Sequence, residues 1–339
     1  MLQFSFFDHS DFLSHLDKHR DPLERLNTAI DWEAFRKPLN DMLRMDRKNN
    51  AGRTPFDYVL MFKVLVLQSM YGLSDQQIEF QILDRYTFKR FLGISSESEV
   101  PDEKTVWLFR ERVGEKGVRT LFDQFSTMID AAGLTAKKGS IVDASFVDAP
   151  RQRNNRDDND QIKSGGGAPQ DWSANKLRQK DVDARWTKKN NETHFGYKNH
   201  VCADAKNKLI RDYSVTAANV HDSQVFEKFF PVAKKNGTKS VYADSAYKSA
   251  QIEKELAECG LRSRVIEKGC RNKALTDKQK LRNRLLSGKR ARIEHLFGRM
   301  KHMKMDTLRC IGMARASMRI GLANLVYNMD RYAALRGRA

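Results

Sequence analysis

The sequence predicts an α/β protein in which helices cover the faces of a mixed β-sheet, preceded by an all-helical region. Before about residue 135, apolar residues recur at helical spacing; after it, short runs rich in β-branched and aromatic residues alternate with helical segments. The 339 residues, 40% of them apolar, can bury one large core or two ordinary ones. We therefore expect two domains, over residues 1–135 and 136–335.

The first domain reads as a series of short helices. Pro55 opens a strongly apolar helix that ends at Gly72, and Ser74 is placed to cap the next helix. Further helices are expected in TFKRFLGI and after Pro101, and much of residues 1–50 also has helical spacing. Short helices joined by capped turns are typical of helix-turn-helix DNA-binding modules, although small helical bundles in general share the pattern.

The pattern of residue types changes near residue 138, at the start of the second domain. The segment GSIVDASFVDA predicts a strand, and the polar residues of about 150–192 predict a long loop or flexible insertion. Two strands follow, which we expect to form a hairpin that turns at Ala205, Lys206 and Asn207.

Strands and helices alternate through the remaining residues. A helix is predicted over 221–235, then a strand in KSVYAD, a helix that ends at Gly260 and a strand in RSRVIEK. A long basic helix should run from about Thr276 to Met305, followed by a final apolar helix. Three strands without an intervening helix, then strand–helix alternation, give the layout of the RNase H-like fold.

The positive charge is concentrated at one end of the chain. Of the net charge of +18, residues 261–339 carry +16, from 21 Lys and Arg against 5 Asp and Glu. Such a field suits a polyanion, most commonly nucleic acid. A solvated basic surface or a tail for an anionic membrane is the alternative, but helical periodicity in this region argues against a loose tail.

Other features exclude several classes of protein. The four cysteines are scattered and no H-E-x-x-H pattern occurs, which argues against a disulfide framework and a zinc site. No apolar run approaches membrane-spanning length, and the N-terminus lacks a basic flank and a cleavage site. We expect a cytoplasmic protein without membrane contact, whose metal chemistry depends on carboxylates.

Two aspartates occupy unusual positions relative to the predicted strands. Asp143 follows Ile141 and Val142 inside the first strand, and Asp244 ends the later strand VYAD. A carboxylate near a strand end is costly to bury unless a partner such as a divalent metal is present. Each aspartate could equally cap the turn or helix that follows it.

A third acid lies on the basic helix. Arg290, Glu294 and Lys301 fall on one helical face, and Gly298 on the same face leaves room for a phosphate. This places one acid between cations suited to phosphate, although an ordinary salt bridge between Arg290 and Glu294 explains the first pair as well.

Convergence of three carboxylates would serve phosphodiester chemistry. Two Mg²⁺ ions can activate the attacking oxygen and stabilise the leaving oxygen, and Mg²⁺ prefers oxygen ligands. One aspartate would bridge both ions while the second aspartate and the glutamate each hold one. We expect two Mg²⁺ ions, with Mn²⁺ as a substitute.

These residues lie in blocks that resemble a known family. The blocks are MYGLSDQQIEFQILDRYTFKRFLGI with VPDEKTVWLFRERV, then IVDASFVDAP, then WTKKNNETHFGYKNHVCADAKNKLI with TAANVHDSQVF and VYADSAYKS, and finally KRARIEHLFGRMK. Together they are similar to DDE transposases of bacterial insertion sequences, most of all the insertion sequence 5 family within the insertion sequence 4 group.

The resemblance implies specific roles. Asp143, Asp244 and Glu294 would be the catalytic, metal-binding carboxylates, and the family's helix signature is matched at Arg290, Glu294 and Lys301, whereas Ser287 stands at its tyrosine position. It also implies an RNase H-like fold, a helical DNA-binding region and cut-and-join transposition of the protein's own element.

Partners follow from the same reading. We expect double-stranded DNA, as element ends and as target, bound by a homodimer or higher homo-oligomer that is nucleoid-associated when acting. Candidate DNA contacts are Arg290, Arg292, Arg299, Lys301, Lys198, His200 and Trp186, the last as a stacking platform for a flipped base. Lys198 and His200 could equally be packing residues. Two alternatives stay open: a DNA-binding regulator with an inert nuclease-like domain, and a metal-dependent nuclease without strand transfer.

Overall fold

The computed structural model describes residues 14–16, 18–19, 21–44, 54–165, 167–189, 191–269 and 274–337. The chain divides into two compact units, one of residues 1–113 with 329–339 and one of residues 114–328. The helical prediction for residues 1–13 and 45–50 lies outside the described residues.

The first unit is helical, as the apolar spacing predicts. Its helices are α1 (Pro22–Ala29), α2 (Arg36–Leu43), α3 (Tyr58–Tyr71), α4 (Asp75–Asp84), α5 (Tyr86–Leu92) and the first part of α6 (Glu103–Ala131), with a 3₁₀ turn at Trp32–Phe35; the end of the last helix, from residue 329, also belongs to this unit. Gly72 ends α3 in the left-handed conformation (φ 61°). Ser74 caps α4 as predicted, since its hydroxyl accepts from the Gln77 amide while the Gln77 side chain accepts from the Ser74 amide.

A buried arginine joins three helices of this unit. The Arg110 guanidinium on α6 donates to both carboxylate oxygens of Asp75 on α4, at 2.6 and 2.8 Å, and to Gln68 Oε1 on α3 at 3.2 Å. A two-pronged contact of this kind fixes orientation as well as distance. The turn between α3 and α4 is therefore held by its cap on one side and by Arg110 on the other.

Helix α6 changes direction at Gly114. This residue has φ 57° and ψ −170°, a conformation outside the helical region that glycine adopts without steric penalty. The first unit ends at Val113, so the interruption coincides with the division between the two compact units.

The second unit is built on a six-stranded mixed sheet. Its strands are β1 (Ser140–Asp148), β2 (Arg185–Lys189), β3 (Glu192–Asp204), β4 (Ile210–Ala217), β5 (Ser240–Ala243) and β6 (Arg262–Val265). One edge of β3 pairs with β1, and its other edge pairs first with β2 and then with β4, all antiparallel. Strands β5 and β6 extend the sheet beyond β1 in parallel. The predicted mixed sheet and the predicted hairpin after Asp204 are confirmed.

Helices surround this sheet, which completes a mixed α/β fold. They are α7 (Arg156–Lys163), α8 (Ala174–Gln179), α9 (Ser223–Phe226), α10 (Phe230–Lys235), α11 (Ala250–Glu258), α12 (Asp277–Arg290), α13 (Arg292–His302) and α14 (Met313–Arg336), with 3₁₀ turns at Glu227–Phe229 and Ser245–Tyr247. The long basic helix predicted over 276–305 is two helices, because the chain turns at Ala291 between α12 and α13.

The polar segment of residues 150–192 is more ordered than its composition predicts. It contains α7 and α8, capped by the Asn155 and Ser173 side chains, and the edge strand β2. Its end is tied down by the buried Asp181 carboxylate, which accepts from the Tyr197 hydroxyl at 2.9 and 2.8 Å and from the Gly312 amide at 3.1 Å. Local capping, one buried acceptor and the buried side chains of Ile162 and Trp172 thus order a segment whose overall composition is polar.

Two apolar clusters cover the sheet. One joins Val142 and Ala243 to Phe226 and Tyr247, and the other joins Val147 and Phe195 of the strands to Ile320 of α14. Among the helices of the described residues, none combines the length and the apolar content that crossing a membrane requires.

We predict that Gly196→Ala destabilises the second unit by about 2–3 kcal/mol. Gly196 has φ 151°, and a Cβ atom there would collide with the Val147 carbonyl oxygen and lie 2.6 Å from the Ala149 amide nitrogen. Urea denaturation of the full chain measures the change. In the control Gly288→Ala, the new methyl group on α12 meets nothing within 4 Å. Stability there should rise, by up to about 1 kcal/mol. Equal stability of Gly196→Ala and wild type would show that a Cβ atom at position 196 causes no collision.

Candidate active site

Asp143 and Asp244 lie side by side at the middle of the sheet. Strands β1 and β5 pair in parallel with Ser140 opposite Val241 and Ile141 opposite Tyr242. Continued by two residues, this register brings Asp143 level with Asp244, and neighbouring strands are about 4.8 Å apart. Asp244 comes directly after β5, where its Oδ1 accepts from the Ala246 amide at 2.7 Å and caps the turn Ser245–Tyr247. The Asp244 carboxylate therefore caps this turn and also lies near Asp143.

Asp143 is buried and carries two hydrogen bonds. Its Oδ1 accepts from the Ala144 amide at 2.9 Å, and its Oδ2 accepts from Arg290 Nη1 at 2.7 Å. Burial raises the pKa of the Asp143 carboxyl and the Asp244 charge raises it further, whereas the Ala144 amide and the Arg290 charge lower it. The net pKa shift is upward, so one arginine does not fully offset the burial of the two neighbouring acids.

Glu294 projects from helix α13 rather than from the sheet. It is in the first turn of α13 with 66% of its side chain exposed, and its Oε1 is 3.5 Å from Arg290 Nη2. Arg290 ends α12 and thus stands between Asp143 and Glu294, but its contact with Asp143 is the shorter by 0.8 Å. The predicted i,i+4 pair exists, and it is the weaker of the two contacts that Arg290 makes.

The three acids are not gathered into a ligand cluster in this arrangement. Within the described ranges, which include all three, no group of three or more His, Cys, Asp or Glu side chains is close enough to hold a metal ion. Asp143 and Asp244 do fit a divalent cation, because two adjacent carboxylates supply hard oxygen donors and repel each other without a cation. Glu294 could join them if Arg290 moved from between it and Asp143.

Lys198 and His200, on β3, lie inside the second unit. Lys198 is 8% exposed and its Nζ donates to Asp222 Oδ1 and to the Val220 carbonyl oxygen, both at 2.8 Å. His200 is 1% exposed, and its Nε2 is 2.9 Å from Thr216 Oγ1. Burial, reinforced by the Lys198 charge, lowers the pKa of His200 to about 4, so its ring is neutral at physiological pH. Both side chains are internal polar groups here, and their contact with DNA stays a prediction.

Lys301 lies beside an open cavity of about 410 Å³. The cavity is lined by residues that follow Asp143 on β1, among them Phe146, and by Gly298 and Lys301 on α13. Gly298 is exposed, and a Cβ atom there would meet nothing within 4 Å. The predicted open approach at Gly298 is therefore present, on the wall of a cavity that Asp143, Asp244 and Glu294 do not line.

The other arginines of α13 differ in their surroundings. Arg292 Nη1 donates to the Ala205 carbonyl oxygen at 2.7 Å, which ties α13 to the turn after β3. Arg299 lies in the last turn of α13 and is half-buried. Of the cations predicted on this helix, Lys301 is the one that borders the cavity.

Trp186 lies on the edge strand β2 and is 45% exposed. Its ring packs against Phe195, with ring centroids 4.8 Å apart, and the Arg151 guanidinium lies 5.8 Å from its centroid. Trp186 also lines a cavity of about 540 Å³ with Arg153 and Arg185 among its walls. An exposed aromatic ring beside several cations is the composition of a stacking platform for nucleic acid bases.

Two features of the site were not predicted from the sequence. The contact between Arg290 and Asp143 joins residues 147 positions apart, which helical spacing cannot reveal. Tyr247 is buried beside the two aspartates, whose charges raise the pKa of its hydroxyl after the larger effect of burial. The signal for Tyr247 was present in VYADSAYKS, where an aromatic residue follows Asp244 by one turn.

Comparisons with known proteins identify the two parts of the chain. The model of the Transposase DDE domain matches residues 135–329, which is more than half of the chain, and a model described as Transposase domain matches residues 10–112. The chain is also weakly similar to a cryo-EM structure of the piggyBac transposase synaptic complex with hairpin DNA. That similarity has 12% identity and a TM-score of 0.44, and covers 94% of this chain and 76% of the other.

We predict that Asp143→Asn gains stability relative to wild type as pH rises above about 4, the ordinary pKa of an aspartate. The folded-state pKa of Asp143 is raised. Its carboxyl therefore stabilises the fold below its ordinary pKa, and this contribution is lost as pH rises through the folded-state pKa. Thermal unfolding at several pH values measures the difference, with the exposed Asp171→Asn as control. A variant that becomes less stable than wild type towards neutral pH would show that the Arg290 ion pair outweighs burial.

Proposed function

The chain belongs to the family of transposases with a DDE domain, and we propose that Asp143, Asp244 and Glu294 are the catalytic carboxylates with which it cuts and joins DNA. The observation that supports this proposal is the parallel register of β1 and β5, which, continued by two residues, brings Asp143 opposite Asp244 just after the end of β5. Asp143 is not explained by a local role alone, because it is buried and retains a raised pKa despite its arginine partner.

We propose an RNase H-like topology for the second unit. Its strand order of β4, β3, β1, β5 and β6, with three antiparallel strands followed by two parallel ones, supports this proposal. The sequence blocks further support membership of the insertion sequence 5 family of the insertion sequence 4 group. In this reading residues 136–335 form the catalytic domain, and residues 1–135 form a DNA-binding and dimerisation region.

Divalent cations, Mg²⁺ or in its place Mn²⁺, would be held as a pair by Asp143, Asp244 and Glu294. When bound, they would supply activation of the attacking oxygen and stabilisation of the leaving oxygen at a phosphodiester. The chain's own contribution is to hold the two aspartates at a fixed separation through the sheet and to present Glu294 from the first turn of α13. Rigid strands are well suited to this, because small errors in ligand position weaken catalysis strongly.

In this mechanism Arg290 could contact either the Asp143 carboxylate or a phosphate of the DNA. It neutralises Asp143 when no other cation does so, at 2.7 Å. A divalent cation at Asp143 would repel the guanidinium, which could then turn towards a phosphate oxygen of the DNA backbone. Its position at the junction of α12 and α13 keeps it within reach of both.

DNA would lie across the exposed side of α13. Lys301 and the open surface at Gly298 border the cavity beside the end of β1, and Lys301 can bind the phosphate backbone without reading sequence. Trp186 would stack on a base displaced near the cut end.

The helical first unit would bind the ends of the element. Helices α3 and α4 are joined by a three-residue turn, from Gly72 to Ser74, which begins with a left-handed glycine. Such a turn supports a helix-turn-helix arrangement. A dimer or higher oligomer would hold two ends together, as joining both to one target requires.

The decisive experiment incubates the purified chain with DNA that carries the ends of its own element and with Mg²⁺, beside an Asp244→Ala control. Cleavage at the ends that needs both metal and Asp244, with products joined to a second DNA, would establish transposition. Cleavage without joining would favour a nuclease. Binding without cleavage in Mg²⁺ and in Mn²⁺ would favour a regulator with an inert catalytic domain.

We predict that Asp143→Asn and Glu294→Gln each reduce cleavage by about 1,000-fold or more while leaving DNA affinity within about threefold of wild type. Metal-based stabilisation of the transition state is worth several kcal/mol, and about 1.4 kcal/mol corresponds to tenfold in rate. Single-turnover cleavage and a gel-shift titration measure the two quantities. Asp171→Asn, at an exposed position outside the proposed site, should cleave normally. Wild-type cleavage by either variant would remove that residue from the site.

We predict that DNA binding weakens steeply with added salt, because the basic residues of 261–339 release counterions when they neutralise phosphates. Between about 50 and 200 mM salt the affinity should fall by roughly 10³-fold or more. Lys301→Ala should make the slope of log K against log salt shallower by about one. The exposed Lys254 on α11 serves as the control substitution to Ala, with no change of slope. Binding that is insensitive to salt would refute the proposed electrostatic surface.

A further inference from the structure

Tyr247 occupies a position between the two aspartates and the apolar cluster on one face of the sheet. It ends the 3₁₀ turn that Asp244 caps, and its amide donates to the Asp244 carbonyl oxygen at 3.3 Å. Its ring packs against Phe226 with centroids 4.8 Å apart, in a cluster that also contains Val142 and Ala243. The last two residues directly precede Asp143 and Asp244 in the chain, so the ring is held close to the backbone of both segments.

The hydroxyl of Tyr247 is buried and has no hydrogen-bond partner within the described part of the chain. A buried polar group without a partner is destabilising, and such groups in folded proteins commonly mark a site completed by something else. The charges of Asp222, Asp143 and Asp244 all act on this hydroxyl, and together with burial they raise the pKa of Tyr247 well above its ordinary value. A tyrosine hydroxyl carries its proton at neutral pH, because its ordinary pKa is about 10, and it is therefore available as a donor.

The Asp143 and Asp244 carboxylates already accept hydrogen bonds from other donors. Asp143 accepts from the Ala144 amide and from Arg290, and Asp244 accepts from the Ala246 amide. A divalent cation between the aspartates would repel Arg290 and remove one donor from Asp143. Without Arg290, the Asp143 carboxylate has one hydrogen-bond donor fewer, while the Tyr247 hydroxyl on the adjacent turn is still unpaired.

We propose that Tyr247 is a positioning residue, whose hydroxyl donates a hydrogen bond to the Asp143–Asp244 carboxylate pair once a divalent cation has displaced Arg290. The inference rests on the proposed function of those acids. Groups that hydrogen-bond to metal-binding side chains set their orientation and commonly change metal affinity by 10- to 100-fold. The unpaired hydroxyl of the metal-free protein is thus the donor that the metal-loaded site uses.

The test measures thermal unfolding of the full chain during a MgCl₂ titration, for wild type and Tyr247→Phe. Without metal, the variant should have a Tm equal to or above that of wild type, because it loses a hydroxyl that has no partner. The Mg²⁺ concentration that gives half of the stabilisation should rise by about tenfold. A residue that only fills space would leave this midpoint unchanged.

Tyr197→Phe is the matched control. Tyr197 is also buried, but its hydroxyl donates to both Asp181 oxygens at 2.9 and 2.8 Å. Its loss should lower Tm equally with and without Mg²⁺, because the hydrogen bond exists in both states. Asp244→Asn should abolish the response to Mg²⁺.

The outcomes separate this inference from the proposed site. A lower Tm of Tyr247→Phe without metal, or a Mg²⁺ midpoint like that of wild type while Asp244→Asn loses its response, overturns the role of Tyr247 and leaves the acids in place. Absence of a Mg²⁺ response in wild type, or a normal response in Asp244→Asn, overturns both.

Discussion

The ion pair between Asp143 and Arg290 connects the middle strand of the sheet to the two basic helices that follow it. A buried carboxylate needs a partner that replaces water, and the second unit meets this need in three ways. Asp143 has an arginine from α12, Asp222 has the buried Lys198, and Asp181 has a tyrosine hydroxyl and backbone amides. Each of these contacts joins segments that are distant in the chain. Buried acids therefore determine where the basic helices, the sheet and the polar segment of 150–192 meet.

Of these three acids, Asp143 is the one whose side-chain partner, Arg290, is only half-buried. Asp222 and Lys198 are both buried, so removal of either would leave an uncompensated charge inside the unit. Arg290 is half-buried at the end of a helix, and its second contact is with the exposed Glu294. The Arg290 side chain is thus partly in contact with solvent, where its charge can be hydrated. This difference in exposure separates a structural ion pair from one that can give way to a cation.

Much of the secondary structure could be predicted because it depends on neighbours in the chain. The Ser74 cap, the end of α3 at Gly72 and the strand around Asp143 are all specified by residues a few positions apart. The predictions that failed involve distant partners. The segment of 150–192 was expected to be a loop because its composition is polar, yet short capped helices and the Asp181 contacts order it. The burial of Lys198 likewise depends on a distant residue, because the Asp222 carboxylate makes it tolerable.

The sequence by itself determined the order of strands and helices, the concentration of positive charge in residues 261–339 and the placement of Asp143 and Asp244 at strand positions. It also identified Glu294 as an acid on a basic helix. Only the tertiary structure decided which side chains meet: the parallel register that sets the aspartates level, the preference of Arg290 for Asp143 over Glu294, and the unpaired hydroxyl of Tyr247. The physical reason is that helix and strand patterns arise from interactions over a few residues. Strand register and ion-pair choice depend instead on burial and on charges that the fold brings together from far apart in the chain.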